Sequence, residues 1–498
     1  MRQFLAAVGA GALVGACSLI YNPNNITKTD AASPPKDAAP DMKLGPQDAP
    51  EMITDANAAA IMLTSVEPDS ILEGQGSGGS RKAVLVVHGM NIVPGATISI
   101  AATNGSDTPM VTSTAGAEVV GADHNFIAVP VTAAVNTSCD TGMIPLTVTV
   151  TQAGGSASVG WQLKCLPQIN QAGPLSLPTA APNEYSEFVL TGPGGTGSAS
   201  ALTASDASHP LIVRAVADLS IAGTIDVGAS GQNAGPGGAG GGGASMMGGG
   251  AGGGGPGGGL FGGGGGGGAG YHDKGTDGTG PIAGGPAQGD PALTGGYAAN
   301  FASGGGGGDG VGGGGGGTIE LTAGGGLTTH TINSKGAAGA TSTLGSGGGG
   351  GAGGTVVLRA ASMAIGTIDV SGGAGTKGGG GGSSGRVRID TPVAINGTPP
   401  AAAYTGFSID ASTPYVTNTS LPTITIHGTA GARYDMFTID EGGNIKDEQD
   451  NKLLGAATGQ MMPPVHWGWN KVCVTPHSAT ASPTVLETAS CIEIAFLP

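Results

Sequence analysis

The sequence predicts an all-β protein in which two β-sandwiches flank a glycine-rich parallel β-solenoid. Two observations predict this class. Short segments of alternating apolar residues recur along much of the 498-residue chain and are separated by Gly, Pro, Asn and Asp turns, as in half-buried strands. Between residues 211 and 370 a pair of such segments recurs three times, and each pair leads into a run of glycine. A repeat of this kind is typical of rungs that stack on their neighbours.

The N-terminus carries an export pattern. Residues 1–16 contain Arg2 and an apolar stretch too short to span a bilayer, and Cys17 follows. This resembles a bacterial lipoprotein signal with its lipobox, except that Val14 stands where Leu is usual. The resemblance implies that Cys17 is lipidated as the mature N-terminus, and that Ser18 suits sorting to the outer membrane. A plain cleaved signal is the alternative.

The next segment predicts a tether. Residues 17–57 are rich in Pro, Asp, Ala and Asn and have almost no apolar periodicity, so they cannot bury enough surface to order themselves. We expect a disordered tether that lifts the rest of the chain off the membrane.

The cysteine count agrees with lipidation. Five cysteines leave one thiol to explain in an exported protein. Cys139 and Cys165 flank one predicted hairpin, and Cys473 and Cys491 flank another. Two disulfides, Cys139–Cys165 and Cys473–Cys491, would leave Cys17 for the lipid. Free buried thiols are the alternative, which an oxidising compartment disfavours.

Residues 58–167 predict the first β-sandwich. Six short strands are expected in about 105 residues: 61–66, 83–87, 96–100, 126–131, 146–150 and 159–163. Residues 66–68 (VEP), 86–91 (VVHGMN) and 94–100 (PGATISI) resemble the IPT/TIG branch of immunoglobulin-like domains. The resemblance implies a spacer or binding module without chemistry of its own.

Residues 168–395 form the repeat region. Its apolar pairs begin at 211–215, 318–323 and 355–360, and a last half-copy lies at 386–390. Between Gly231 and Gly317, 46 of 87 residues are glycine. Because ordering glycine is costly, a flexible insertion is one interpretation. We favour the other, polyglycine II segments that exchange backbone hydrogen bonds with their neighbours. In composition the tract is similar to the modules of PE-PGRS surface proteins and of some phage adhesins.

Charged residues recur at equivalent repeat positions. Arg214 matches Arg359, and Asp226 matches Asp369, whereas Thr322 and Ser334 stand in the middle copy. A charged ladder on one solenoid face is where β-helix polysaccharide lyases keep their acids and bases. Because the middle copy lacks both charges, we expect a solvated outer face instead.

Residues 396–498 predict a second, immunoglobulin-like β-sandwich with strands at 422–426, 434–439, 471–474 and 491–496. Trp467 and Trp469 are one residue apart and could form a stacking platform for sugars. The alternative is that one of them fills the sandwich core beside the disulfide.

The sequence contains few other motifs that indicate a ligand or a reaction. A net charge of −16 disfavours nucleic acid, which requires a basic face. The composition forces many GxGxxG matches, and none has the strand and helix that a nucleotide site requires. Asp309 lies in one copy of a calcium-binding nonapeptide, and one copy does not predict a calcium site. We therefore expect no catalytic residue, metal or cofactor.

The most consistent interpretation is a non-enzymatic lipoprotein of the bacterial outer membrane or cell surface, with a structural or adhesive role. Its partners would be the membrane, through Cys17, and a surface polysaccharide or protein. A β-helix polysaccharide lyase or hydrolase is the competing hypothesis.

Overall fold

The computed structural model describes residues 60–76, 82–103, 111–135, 139, 142–192, 201–258, 265–290, 293, 302–343, 345–400, 403–410, 415–477 and 490–497. The described residues are all-β. They contain no helix, and hence none that could cross a membrane. Cys17 and the expected tether lie outside them. Asn57–Pro498 belong to one compact unit with three main apolar cores.

The first region has two mainly antiparallel sheets, and each of the six predicted strands lies in or overlaps an observed one. Its strands are β1 Met62–Glu67, β2 Ser70–Leu72, β3 Ala83–Met90, β4 Thr97–Ala102, β5 Val111–Ser113, β6 Val119–Val120, β7 Phe126–Ala133, β8 Gly142–Gln152 and β9 Gly155–Cys165. One sheet has the order β1-β3-β7-β5, with β6 beside β7, and the other has the order β2-β9-β8-β4. Alternate residues such as Leu85, Val129 and Val148 fill the core between them.

The repeat region has two parallel sheets. Its strands are β10 Ile169–Ala172, β11 Leu175–Leu177, β12 Asn183–Tyr185, β13 Phe188–Thr191, β14 Ala201–Ala204, β15 Leu211–Ala215, β16 Leu219–Asp226, β17 Thr318–Ala323, β18 Gly326–Asn333, β19 Thr355–Arg359, β20 Ser362–Asp369, β21 Arg386–Asp390 and β22 Ala403–Thr405. A six-stranded sheet runs β12-β15-β17-β19-β21-β22. A seven-stranded sheet contains β10, β11, β13, β14, β16, β18 and β20.

The repeats stack in phase. Equivalent residues of successive copies lie side by side, so that Leu211, Ile319, Val356 and Val387 form one buried column of the six-stranded sheet. In the other sheet Ile225 and Ile332 are buried, whereas Ile368 on the edge strand is only partly buried. The single core between the sheets therefore depends on contacts between copies, because no copy encloses it alone. Strands β12, β13 and β14 pair with the first copy although their sequences lack its pattern, and β10 and β11 pair in turn with β13 and β14.

The glycine runs all occupy the same kind of connection. Each links the second strand of one copy to the first strand of the next, from β16 to β17, from β18 to β19 and from β20 to β21. We call the described parts of these connections, 227–258, 265–290, 293, 302–317, 334–343, 345–354 and 370–385, the glycine bundle. Backbone hydrogen bonds join its segments laterally without forming strands.

The lateral bonds in the glycine bundle have a period of three residues. From Gly348 to Gly354 the N–H groups donate in rotation to 334–340, 303–306 and 380–383, with N···O distances of 2.7–3.0 Å. The carbonyl groups of residues 347–352 accept, in the same rotation, from three further segments: 266–269, 373–376 and 313–316. A period of three is that of an extended three-residue helix without internal bonds. This run therefore has six bonded neighbours, and the described segments form an ordered body, not a flexible insertion.

Close packing requires glycine in this run. A Cβ atom added at Gly350, Gly351 or Gly353 would lie 1.8–1.9 Å from a backbone oxygen of a neighbouring segment. Ala352 is accommodated because it joins a small buried cluster with Tyr271 and two other alanines. Lateral hydrogen bonds thus offset the conformational entropy that glycine loses on ordering.

The outer face of the six-stranded sheet is buried at Arg359, Arg386 and Arg388, contrary to expectation, whereas the Arg214 side chain is 26% exposed. Arg359 donates to Asp390 (Nε···Oδ2 3.0 Å), and Arg388, which is fully buried, contacts the same carboxylate at 2.8 Å. Arg386 Nη2 donates to the Gln288 carbonyl at 2.7 Å. A segment of the glycine bundle therefore covers this face, and the charges are buried in pairs.

The two pairs of repeated charges lie on different sheets. Arg214 and Arg359 share a column with Thr322 between them, as the repeat predicts. On the other sheet, Asn333 and not Ser334 lies between Asp226 and Asp369. The prediction for Ser334 was wrong by one position, because the strand alternation continues through Asn333. Asn333 Nδ2 donates to Asp226 at 2.8 Å.

The C-terminal region contains two further sheets. Its strands are β23 Ser408–Ile409, β24 Val416–Thr417, β25 Ile424–His427, β26 Arg433–Ile439, β27 Ile445–Leu453, β28 Thr458–Met461, β29 Gly468–Pro476 and β30 Ser490–Phe496. The sheet orders are β23-β25-β28 and β24-β30-β29-β26-β27. The pairs β26–β27, β26–β29 and β29–β30 are antiparallel, and β24 is parallel to β30.

Candidate functional site

Both predicted cysteine pairs are disulfide-bonded in the structure. Cys139 and Cys165 have their Cα atoms 5.6 Å apart, and Cys473 and Cys491 have theirs 4.1 Å apart across paired strands β29 and β30. Glu73 lies beside the first pair and is fully buried. These groups are structural: the cysteines join chain segments and present no reactive thiol.

The first and C-terminal regions pack against each other, an arrangement the sequence did not suggest. Val84 and Val86 on β3 face outward from their own core and pack with Ala495 and Leu497 in a small apolar cluster. We call this contact the junction. Because β3 is buried on both faces, its first five residues, 83–87, are all apolar.

Trp469 lies in the junction and not beside the disulfide. Its indole Nε1 donates to Glu493 Oε2 at 3.2 Å, and its backbone N–H donates to Glu67 Oε2 at 3.1 Å. Glu493 also accepts from Gln75 and from the Val84 N–H of the first region. One carboxylate from each region thus stabilises the junction, and the Trp469 side chain is partly buried there.

Trp467 is the exposed member of the pair. Its side chain is 57% exposed, whereas Trp161 is buried in the first core. Its ring meets Phe126 edge-on with centroids 5.9 Å apart, and Phe126 in turn meets His88 at 4.8 Å. The tryptophan therefore stands at the rim of the junction, against aromatic residues of the first region.

The loop that carries Trp467 is held in place. Gly468 has φ +88°, and a Cβ there would lie 2.6 Å from Glu67 Oε2, so glycine allows the two indoles to diverge. The buried Asn470 side chain accepts from the His466 N–H at 2.8 Å and donates to the Gly468 carbonyl at 3.1 Å. These hydrogen bonds fix the backbone on either side of the exposed ring.

Carboxylates surround this aromatic rim. Glu67 Oε2 lies 3.2 Å from His88 Nε2. Burial alone would raise the pKa of Glu67, but His88 and the Trp469 amide outweigh it and lower the pKa below its usual value. Burial and repulsion by Asp69 and Glu67 raise the pKa of Glu441, which accepts from the Asp69 N–H. The rim of the junction is acidic as well as aromatic.

The other candidate residues are engaged elsewhere. Asp309 accepts from the Ser346 N–H at 3.1 Å and ties together two turns of the glycine bundle. A shallow depression of about 440 Å³ beside β20 is lined by residues 365–368 and 398–400, none of them ionisable. The sequence did not point to Glu67, Phe126 or Glu493, because only tertiary contacts bring them to the two tryptophans. The same holds for Glu441, which interacts with Glu67.

The candidate site is therefore the rim of the junction, where Trp467, Phe126 and His88 meet Glu67 and Glu441. Comparison with protein-family models, curated proteins and solved structures finds no match to this chain.

Proposed function

We propose that this chain is a non-enzymatic lipoprotein of the bacterial outer membrane or cell surface, anchored by lipidated Cys17, with a structural or adhesive role. In this proposal the two outer regions are immunoglobulin-like β-sandwiches. The repeat region is a parallel β-solenoid, and the glycine bundle is polyglycine II. The in-phase parallel strands support the solenoid, and the period-three hydrogen bonds support polyglycine II.

The observation that carries the proposal is the glycine bundle. Its interior is backbone, its polar groups bond to one another, and added Cβ atoms would collide with neighbouring oxygens. Such a body is a rigid spacer. It supplies few ionisable side chains, whereas a lyase groove needs several in contact with solvent.

The competing function, a polysaccharide lyase or hydrolase, would use the repeated charges. Arg359, Arg388 and Asp390 are buried and paired with one another, which suits a structural role. Asp226, Asp369 and Arg214 are the repeated charges with access to solvent. Both aspartates accept hydrogen bonds from the chain, and Arg214 donates to the buried Glu320 at 3.0 Å.

Fractionation tests the anchor. The full chain should partition with membranes, and the Cys17→Ser variant should be released, because stable attachment needs the acyl chains. Protease treatment of intact cells should then degrade the anchored chain from outside. Unchanged partitioning of the Cys17→Ser variant would contradict the lipoprotein proposal.

The enzymatic alternative is tested separately with the Asp226→Asn variant. If the wild-type chain cleaves an acidic polysaccharide and this variant does not while keeping its fold, the non-enzymatic proposal is wrong.

A further inference from the structure

The rim of the junction has features that a spacer does not require. Trp467 exposes more than half of a large apolar ring, although burial of such a ring is strongly favourable. The backbone on either side of this ring is held by the Asn470 hydrogen bonds to His466 and Gly468. An exposed indole on a fixed backbone costs stability in a free protein and reduces the entropy lost when a ligand binds.

Charge restricts what can bind there. Glu441 interacts with Glu67 and Asp69 across the two regions. The pKa of Glu67 is lowered, so this group is ionised at neutral pH. An anionic ligand would be repelled, whereas a protonated amine would be attracted by these carboxylates and by the indole face.

We infer that the rim of the junction binds an amine-bearing saccharide, with a sugar ring against Trp467 and its ammonium group near Glu67 and Glu441. A pyranose presents an apolar C–H face of a size that suits an indole, and equatorial amines at its edge reach adjacent carboxylates. Phe126 contacts the Trp467 ring edge-on, and His88 contacts Phe126 in the same way. The site consists of residues from both outer regions and so requires the docked junction.

This inference deepens the proposed adhesive role and rests on it for its biological use, but binding itself does not depend on the anchor. The two can therefore fail separately: membrane release of Cys17→Ser concerns the anchor, and saccharide titration concerns the rim.

Tryptophan fluorescence of the purified full chain in detergent provides the test. The probe is the β-1,4-linked glucosamine hexamer at pH 6, with its fully N-acetylated counterpart and oligogalacturonate as comparisons. We expect quenching by the amine hexamer, about tenfold weaker binding of the acetylated hexamer, and no binding of oligogalacturonate. Equal binding of the two hexamers, binding of oligogalacturonate or no binding of the amine hexamer would overturn the inference.

Variants locate the site. Trp467→Ala should weaken binding at least about tenfold, measured by calorimetry because the reporter is removed. Glu441→Gln should weaken it several-fold and reduce its salt dependence. Glu184→Gln, an exposed carboxylate on β12 in the repeat region, is the matched control and should bind as wild type. Unchanged affinity in Trp467→Ala, with an unchanged melting temperature, would refute the assignment to this rim.

Discussion

Replacement of Gly351 by alanine is the most direct test of the packing in the glycine bundle. Its Cβ would lie 1.9 Å from the Gly314 oxygen and 2.4 Å from the Gly314 carbonyl carbon, far inside van der Waals contact. The two segments would have to separate by more than 1 Å, roughly the deficit from ordinary contact. Two lateral bonds made by Gly351, to the Ala337 carbonyl and from the Gly373 N–H, would be strained.

The magnitude follows from these contacts. Overpacking costs about 3 kcal/mol at its upper end, and two weakened hydrogen bonds add about 1 kcal/mol each. Alanine restricts the unfolded chain and returns about 0.5–1 kcal/mol. We therefore expect a loss of about 4 kcal/mol in local stability.

Hydrogen exchange measures this change segment by segment. Amides of residues 346–355 should exchange about a thousandfold faster in Gly351→Ala than in the wild type. Gly381→Ala is the matched control, because its Cβ would meet nothing closer than Thr276 Oγ1 at 3.6 Å. It should leave exchange unchanged or slightly slower. Equal protection of these amides in the two variants would show that the segments are not packed as described.

Three further predictions concern the core, the disulfides and the junction. Ile225→Asp buries an unpaired carboxylate between the parallel sheets and should lower the free energy of unfolding by about 3–5 kcal/mol. Asp226→Asn, on the opposite strand face, should lower it by less than about 1 kcal/mol. Similar melting temperatures for the two variants would contradict the strand orientation. Removing either disulfide, by Cys139→Ser with Cys165→Ser or by Cys473→Ser with Cys491→Ser, should cost about 3 kcal/mol, and non-reducing peptide mapping should recover both pairs without exchange between them. Because the folded pKa of Glu67 is lowered, its stabilisation is present above the unfolded pKa of about 4.3 and is lost as the pH falls through the lower folded value. Fluorescence of Trp469 should therefore shift to the red below about pH 4 as the junction opens, and Glu67→Gln should remove this pH dependence; a transition that persists in Glu67→Gln would assign it to another group.

Local pattern determined much of the architecture. Apolar alternation is a property of neighbouring residues, so it marked strands such as β4 and β8 without knowledge of their partners. The recurrence of one short pattern aligned Arg214 with Arg359 and Asp226 with Asp369, and the parallel registers agree. Strand and turn spacing placed each pair of cysteines on one hairpin, and both pairs are bonded.

Contacts between distant residues decided the rest. Composition alone does not distinguish flexible from ordered glycine runs. The difference lies in whether six neighbours are close enough to exchange backbone bonds, as they are around residues 347–354. Charge identity did not reveal that Arg386 is buried, because the Gln288 carbonyl that accepts from it is about a hundred residues away in sequence.

The two tryptophans illustrate the same division. The sequence determined that Trp467 and Trp469 lie one residue apart around a glycine, and so on diverging sides of the chain. Which of them is buried depends on the docking of β3 against β30, which is a contact between opposite ends of the described chain. Burial is a property of the assembled surfaces, and no local pattern around the two residues encodes it.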